Sequence, residues 1–362
     1  MKSIPTPRPW SEYSNQYHPK QRIFLSIDAI GSTKLKVDAA KRGHTIGAVA
    51  TNFVNAFLPE VPVIYKNNFL GACNKYCQNC SEQCTDTALP IVWKYIGDEV
   101  VLVAELTCIK RQASLHILAL AQTIKDLNAS FAKQPDELFQ KLRFKGTAWV
   151  AGFPVTNIEL ELLSGSGTKE CSTRDFLGPS IDLGFRLSKL ASDDRLVISA
   201  SLAYLIVSQP PFTLEYNGTA IQFLPLCFGG TVEAKGTKNE EHPLIWISIN
   251  NTRESDLCKP TCEQLKGYLE DYLKTYCDHS IFPFILDNTN TEYQLNYDDE
   301  YKKAVKEQMG IPNSIFYNLN TIEAAKKSTT DPKRGEDMEH LAEIINRLIN
   351  ESLDNPNAGY QP

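Results

Sequence analysis

Two apolar, strand-like runs that each end in an aspartate constrain the fold of this 362-residue chain most strongly. Asp28 closes the run Ile23–Ile27 and is followed by a Gly-Ser-Thr turn. Asp98 lies at a Gly-Asp turn inside the apolar stretch Ile91–Val103, which predicts a tight β-hairpin. Either aspartate alone could be an ordinary turn residue. Together they favour a dinuclear metal centre beside backbone N–H groups that bind the phosphates of a nucleoside triphosphate.

The part of the chain from about residue 22 to 250 alternates strand-like and helical patterns. Strands are predicted at Ile23–Ile27, Ile91–Ile96, Val100–Leu106, Phe144–Gly152, Leu196–Ser199, Ile221–Leu226 and Leu244–Ile249. Helices are predicted at Thr45–Leu58, Ser114–Lys133 and Ser180–Ala191. This mixture predicts an α/β (α+β) sandwich built on a sheet with hairpins, not a simple parallel βαβ series.

Three further segments are distinguished: one before this predicted domain, one inserted in it and one after it. Residues 1–21 form an arm without a periodic pattern, and residues 61–89 form a cysteine-rich insertion before the Asp98 hairpin. Residues 251–362 form a mostly helical C-terminal extension that we expect to be regulatory. Its predicted helices are Glu263–Cys277, Asp298–Gln308 and Asp337–Leu353.

Composition and charge exclude several classes of protein. The net charge of −6 gives no basic footprint for nucleic acid. No apolar run reaches the ~18 residues that cross a bilayer, and residues 1–20 lack the apolar core of a signal peptide. We therefore expect a cytoplasmic protein that binds neither nucleic acid nor membrane. In that compartment the ten cysteines are more readily thiols or metal ligands than disulfides.

The segment from Arg174 to Arg186 holds a second constellation of charged residues. Asp182 and Arg186 are spaced i, i+4 on one predicted helix. One interpretation is a surface ion pair that stabilises the helix by about 0.3–0.5 kcal/mol. The other makes Arg186 the cation that meets negative charge developing on a phosphate. Spacing alone favours the ion pair.

The order of these motifs resembles the class III nucleotidyl cyclases over about residues 22–250. The motifs that carry the resemblance are Phe24–Thr33, Lys94–Asp98, Asp175–Gly178, Arg186 and Lys235-Gly236. The resemblance implies a ferredoxin-like βαββαβ core that dimerises head to tail. It also implies two divalent cations, Mn²⁺ or Mg²⁺, and conversion of a nucleoside triphosphate to its 3′,5′-cyclic monophosphate and pyrophosphate.

The resemblance assigns roles to individual residues. Asp28, Asp98 and the backbone carbonyl of Ala29 would hold the two metal ions. Arg186 would stabilise the transition state. The residues that would bind the phosphates are Ile30, Gly31, Ser32, Thr33 and Lys235.

Base and ribose recognition would involve three more residues. Lys94 and Asp175 fall where purine cyclases place their base-selecting pair. Asp182 falls where the family usually has an Asn that positions the ribose, and an ionised carboxylate accepts but cannot donate a hydrogen bond. In the family's homodimers these residues and Arg186 face the metal carboxylates of the other protomer, so two equivalent sites are shared.

The base that is cyclised is left open by the sequence. Lys94 and Asp175 favour adenine, and hence an adenylate cyclase. The insertion, the Gly97-Asp98-Glu99 hairpin and the helical tail look like the stand-alone pyrimidine cyclases of bacterial antiphage (Pycsar) systems, which make cyclic UMP or cyclic CMP as an alarm for a separate effector. We favour UTP, then CTP. A diguanylate cyclase is disfavoured by Ile96, and a non-catalytic dimeric nucleotide sensor is the competing class.

Four cysteines in the insertion form a candidate structural zinc site: Cys73, Cys77, Cys80 and Cys84. Their spacing is also one stripe of a helix, on which the outer sulfurs would be about 16 Å apart, too far for one tetrahedral ion. Zinc therefore requires a bent segment, and an apolar or redox-sensitive thiol stripe is the alternative. A looser candidate is Cys258, Cys262, Cys277 and His279.

Overall fold

The computed structural model describes residues 20–76, 89–106, 112–153, 157–163, 172–209, 213–216, 219–221, 224–233, 241–250 and 260–276. These residues belong to one compact unit, Pro19–Asn290. The predicted arm up to residue 19 and the predicted helices at Asp298–Gln308 and Asp337–Leu353 lie outside the described residues.

Eleven strands and seven α-helices make up the described part of the chain. The strands are β1 (Lys20–Ile30), β2 (Ile91–Ile96), β3 (Glu99–Leu106), β4 (Arg143–Phe153), β5 (Ile158–Leu163), β6 (Ser172–Leu177), β7 (Arg195–Ile198), β8 (Leu214–Tyr216), β9 (Thr219–Ile221), β10 (Cys227–Glu233) and β11 (Glu241–Ser248). The helices are α1 (Ser32–Lys41), α2 (Ile46–Phe57), α3 (Glu60–Tyr76), α4 (Gln112–Phe131), α5 (Pro179–Leu187), α6 (Ala200–Ser208) and α7 (Cys262–Tyr276).

A mixed seven-stranded sheet in the order β10-β11-β7-β4-β1-β3-β2 organises these elements. Strand β1 is antiparallel to both β3 and β4, β2 is antiparallel to β3, and β7 is parallel to β4. The chain order β1-helices-β2-β3-α4-β4 with the spatial order β4-β1-β3-β2 is the ferredoxin-like arrangement. The predicted α/β fold and its βαββαβ core are therefore confirmed.

The two faces of β1 are buried against different layers because side chains alternate along a strand. Ile23, Leu25 and Ile27 join the main core, which helices α2, α3 and α4 cover. Phe24, on the other face, joins a smaller aromatic core with Trp149. The later residues of that second face are the polar Ser26 and Asp28, so an apolar strand becomes a polar corner at its end.

Helix α3 occupies the first part of the segment that we expected to be an insertion. Its buried residues Val61, Tyr65, Phe69 and Cys73 recur every four positions and belong to the main core. This part of the segment is therefore a structural helix of the domain. Likewise, α7 buries Leu265, Leu269 and Leu273 in the same core, although it lies in the expected C-terminal extension.

Helix α5 packs on the opposite face of the sheet, over β4. Gly184 permits this contact because a Cβ atom at that position would lie 2.1 Å from Trp149 Cδ2.

The prediction of one strand at Ile221–Leu226 is wrong. Strand β9 ends at Ile221, and β10 begins at Cys227.

Candidate metal and nucleotide site

The end of β1 and the tip of the β2–β3 hairpin meet at one corner of the sheet. In the β1–β3 register Asp28 lies opposite Glu99, the residue that follows Asp98. The Ala29 N–H donates to the Asp98 carbonyl oxygen over 3.3 Å. Gly97 has a φ of 65°, which a tight two-residue turn requires and glycine adopts without strain. The two aspartates predicted as metal ligands are thus brought to the same corner.

Burial and neighbouring charge act on the acids at this corner. Burial raises the pKa of Asp28, the Lys145 ammonium opposes that rise, and the charge of Asp98 adds to it. Burial also raises the pKa of Glu99, whose carboxylate accepts a hydrogen bond from the Ser26 hydroxyl. Concentrated negative charge of this kind is stabilised by cations.

The oxygen atoms at the corner suit a hard divalent cation. Carboxylates and backbone carbonyls are the ligands that Mg²⁺ and Mn²⁺ prefer. Asp28, Asp98 and the Ala29 carbonyl supply that donor set. In the described ranges no group of three or more His, Cys, Asp or Glu side chains is arranged to hold a metal ion. A cation at this corner would therefore be bound by two carboxylates together with backbone oxygens.

Helix α1 begins directly after this corner. Gly31 has a φ of 93° and precedes Ser32, the first residue of the helix. No side chain caps this terminus, and the first N–H bond of the helix runs from Leu35 to the Gly31 carbonyl. The N–H groups of the first turn therefore have no partner within the helix and can bind an anion. Four of the five predicted phosphate-binding residues lie where β1 passes into this helix: Ile30, Gly31, Ser32 and Thr33.

The predicted base-selecting residues lie in contact. Lys94 Nζ is 2.7 Å from Asp175 Oδ1. The Trp93 indole N–H donates to the same oxygen over 3.2 Å, and so does the Phe176 backbone N–H over 2.9 Å. The β2–β3 register is irregular between Val92 and Lys94. At this irregularity two consecutive side chains, Trp93 and Lys94, contact the same carboxylate.

Asp182 and Arg186 lie on α5, with Asp182 exposed and Arg186 half-buried. No salt bridge joins them among the described residues, so the surface ion pair favoured by their spacing is not formed. Asp182 is in the first turn of the helix and Arg186 in the last turn, where each charge complements the helix dipole.

Two residues that were not predicted from the sequence, Lys145 and Trp93, contact two of the predicted site residues. Lys145 Nζ lies 3.2 Å from Asp28 Oδ2, and Trp93 contacts Asp175. A signal for Lys145 was present: it is a charged residue in a strand that becomes apolar from Ala148 onward. Trp93 gave no signal, because an aromatic residue in a strand is ordinary.

Several predicted ligands cannot be placed. Lys235, Cys77, Cys80 and Cys84 lie outside the described residues. Cys73 is buried in the apolar stripe of α3, which favours the thiol-stripe interpretation for that residue. Of the looser cysteine group only Cys262 is described. Within the described part of the chain, no helix combines the length and apolar character that a bilayer crossing requires.

No protein-family model and no curated protein matches this sequence. Solved structures that resemble it are adenylyl and guanylyl cyclase domains. The adenylyl cyclase CyaB from P. aeruginosa is 15% identical, with 65% of this chain and 97% of that chain covered and a TM-score of 0.40. The guanylate cyclase domain of RhGC from Catenaria anguillulae, solved with GTP, is 11% identical, with 64% and 97% covered and a TM-score of 0.37.

A dimeric guanylyl cyclase domain of the RhoGC fusion protein from Blastocladiella emersonii is also 11% identical, with 64% and 97% covered and a TM-score of 0.37. The fold is established by the strand order and register of the chain itself. Similarity at this level carries no information about the substrate.

Proposed function

We propose that this protein is a nucleotidyl cyclase that converts a nucleoside triphosphate to a 3′,5′-cyclic nucleotide and pyrophosphate. One observation carries the proposal: the β1–β3 register and the Ala29–Asp98 hydrogen bond bring Asp28 and Asp98 together directly before the N-terminus of α1. Two divalent cations, Mn²⁺ or Mg²⁺, bound there would lower the pKa of the ribose 3′-hydroxyl and offset the charge of the leaving pyrophosphate.

The chain's own residues would supply binding, orientation and charge. Asp28, Asp98 and the Ala29 carbonyl would hold the cations. The first-turn N–H groups of α1 would orient the triphosphate through charge-assisted hydrogen bonds. Arg186 would meet the negative charge that develops on the reacting phosphate, and Asp182 would accept a hydrogen bond from a ribose hydroxyl.

The proposed active form is a homodimer in which one protomer supplies the metal carboxylates. The other protomer would supply Lys94, Asp175, Asp182 and Arg186. A shared site of this kind needs both protomers, so an isolated protomer would have no complete site. This arrangement comes from the family resemblance of the sequence.

The favoured substrate is a pyrimidine nucleotide, UTP before CTP, and the product would be a second messenger of antiphage defence that a separate effector reads. An adenylate cyclase is the second candidate, because Lys94 and Asp175 are both retained. The third is a dimeric nucleotide sensor without turnover, which retention of both aspartates and Arg186 disfavours.

Incubation of the purified protein with Mn²⁺ and each of the four nucleoside triphosphates tests these candidates. We expect cyclic UMP as the main product. Product from ATP alone would exclude the pyrimidine assignment and keep the cyclase. Tight nucleotide binding without turnover under any metal would favour the sensor.

Asp98→Asn tests the metal assignment. It should lower turnover by more than ~100-fold. The free energy of unfolding should stay within about 0.5 kcal/mol of the wild type, because a residue at a turn tip contributes little to the core. Asp193→Asn, at an exposed aspartate, is the matched control. Full activity of Asp98→Asn would show that Asp98 is not a metal ligand.

A further inference from the structure

Lys145 is a cation inside the proposed metal site. It lies opposite Asp28 in the β1–β4 register, and its Nζ is 3.2 Å from Asp28 Oδ2. The same ammonium donates to the Ser188 carbonyl oxygen over 3.0 Å, just after the end of α5. The Lys145 side chain is only 18% exposed. Two hydrogen bonds and this burial fix the ammonium against the carboxylate.

The charges around Lys145 explain why a cation is held there. Asp28, Asp98 and Glu99 put three carboxylates at one corner. The charge of Asp98 acts unfavourably on Asp28, and the charges of Asp28 and Asp98 both act unfavourably on Glu99. Lys145 is the cation that acts on both Asp28 and Glu99. It therefore neutralises part of the charge that a divalent cation would otherwise neutralise.

We propose that Lys145 is an internal counter-ion that competes with the divalent cation for Asp28 and thereby sets the metal affinity of the site. A carboxylate oxygen bonded to an ammonium has less negative charge to offer a metal. Metal binding must therefore break or weaken the Lys145–Asp28 bond. Lys145 acts through Asp28, so it is a positioning residue. The inference rests on the proposed function, because it takes Asp28 as a metal ligand.

A purely structural role for Lys145 makes the opposite prediction. If the lysine only ties β4 to the end of α5, its removal would loosen the corner and weaken metal binding or leave it unchanged. If the lysine competes with the metal, its removal would strengthen metal binding. Tighter binding in a variant is a result that loss of structure cannot produce.

The test is a titration of the full-length, nucleotide-free protein with Mn²⁺, in which electron paramagnetic resonance measures the free ion. Lys145→Met should bind Mn²⁺ about tenfold more tightly than the wild type, which corresponds to about 1.4 kcal/mol. Lys189→Met removes the same charge from an exposed position and should stay within about twofold, as expected for a screened surface charge. Lys145→Gln, which keeps a donor for the Ser188 carbonyl, serves as the second variant if Lys145→Met does not fold.

Asp28→Asn separates this inference from the proposed function. If Asp28→Asn abolishes Mn²⁺ binding while Lys145→Met and Lys145→Gln bind no more tightly than the wild type, the competition is refuted and Asp28 remains a ligand. If Asp28→Asn binds Mn²⁺ as the wild type does, the metal role of Asp28 is wrong and the inference is wrong with it. Loss in Asp28→Asn with a gain in the lysine variants supports both.

Discussion

The contact between α5 and the sheet predicts a large effect from the smallest substitution that adds a side chain. In Gly184→Ala the new Cβ would lie 2.1 Å from Trp149 Cδ2 and 2.3 Å from Cε2. The Trp149 ring cannot withdraw, because it is fully buried and stacks on Phe24 with 5.4 Å between ring centroids. Helix α5 must therefore move away from β4.

Two opposing energies decide the sign of the effect. Replacing Gly by Ala inside a helix is favourable by about 1 kcal/mol. Overpacking of a well-packed core costs about 1–3 kcal/mol, and contact with a fixed ring lies at the upper end of that range. The net expectation for Gly184→Ala is a loss of about 2 kcal/mol in the free energy of unfolding.

The matched control is Gly267→Ala in α7, where an added Cβ would meet no described atom within 4 Å apart from its chain neighbours and the backbone of its own helix. Only the propensity gain remains there, so this variant should be more stable by up to ~1 kcal/mol. The two variants should thus differ by about 3 kcal/mol in urea denaturation followed by circular dichroism. Equal stabilities would refute the close packing of α5 on Trp149. Because α5 carries Arg186, Gly184→Ala should also lower turnover at temperatures where it is folded.

Two more substitutions probe the proposed base-selecting residues and the core. Trp93→Phe removes one hydrogen-bond donor to Asp175. The ratio of kcat/KM for the preferred nucleotide to that for the second-best nucleotide should fall about fivefold, which corresponds to about 1 kcal/mol. Trp246→Phe is the control, and an unchanged ratio in Trp93→Phe would argue against the contact. The pKa of His116 is lowered from 6.5 to about 3 by burial. Below pH 6.5 the unfolded chain takes up a proton that the folded chain does not, so stability should fall by about 1.4 kcal/mol per pH unit. His116→Gln should flatten this decline in urea midpoints between pH 7.5 and 5.5, and an equally steep decline would contradict a neutral His116.

Local sequence signals were sufficient for the two separate parts of the corner that holds Asp28 and Asp98. A Gly-Asp turn between apolar runs specifies a hairpin, and an apolar run before a Gly-Ser-Thr turn specifies a buried strand that ends at a polar loop. The contact between the two runs depends on long-range strand pairing, that of β1 with β3. Only the family resemblance supplied that pairing before the structure did.

Three described helices, α1, α3 and α6, were not predicted from the sequence. The reasons differ for the first two. Helix α1 buries only Ser32, Leu35 and Ala39, and Gly31, which precedes its first residue, gives no side-chain capping signal. Helix α3 has a regular buried stripe, but it falls in the segment that was expected to be an insertion, and it carries Pro62 in its first turn. Proline is tolerated in the first turn of a helix, because the N–H groups there have no partner within the helix.

The Lys145–Asp28 and Lys94–Asp175 pairs could not be derived from periodicity, because each joins residues far apart in the chain. Lys145 meets Asp28 only through the exact register of β1 and β4, and a shift of one residue would turn Lys145 to the other face of the sheet. The sequence identifies which residues are charged, and strand register determines which of those charges lie in contact.

The Lys94–Asp175 contact changes what residue identity implies about the base. In the purine cyclases that the sequence resembles, this pair is expected to read the base. Here the two side chains bind each other, and Trp93 and the Phe176 N–H donate to the same Asp175 oxygen. A base that used this carboxylate would have to displace the Lys94 contact or bind the other carboxylate oxygen. Retention of the pair is therefore weaker support for adenine than residue identity alone suggests, and the comparison of four nucleotides on wild-type protein and Trp93→Phe addresses the question directly.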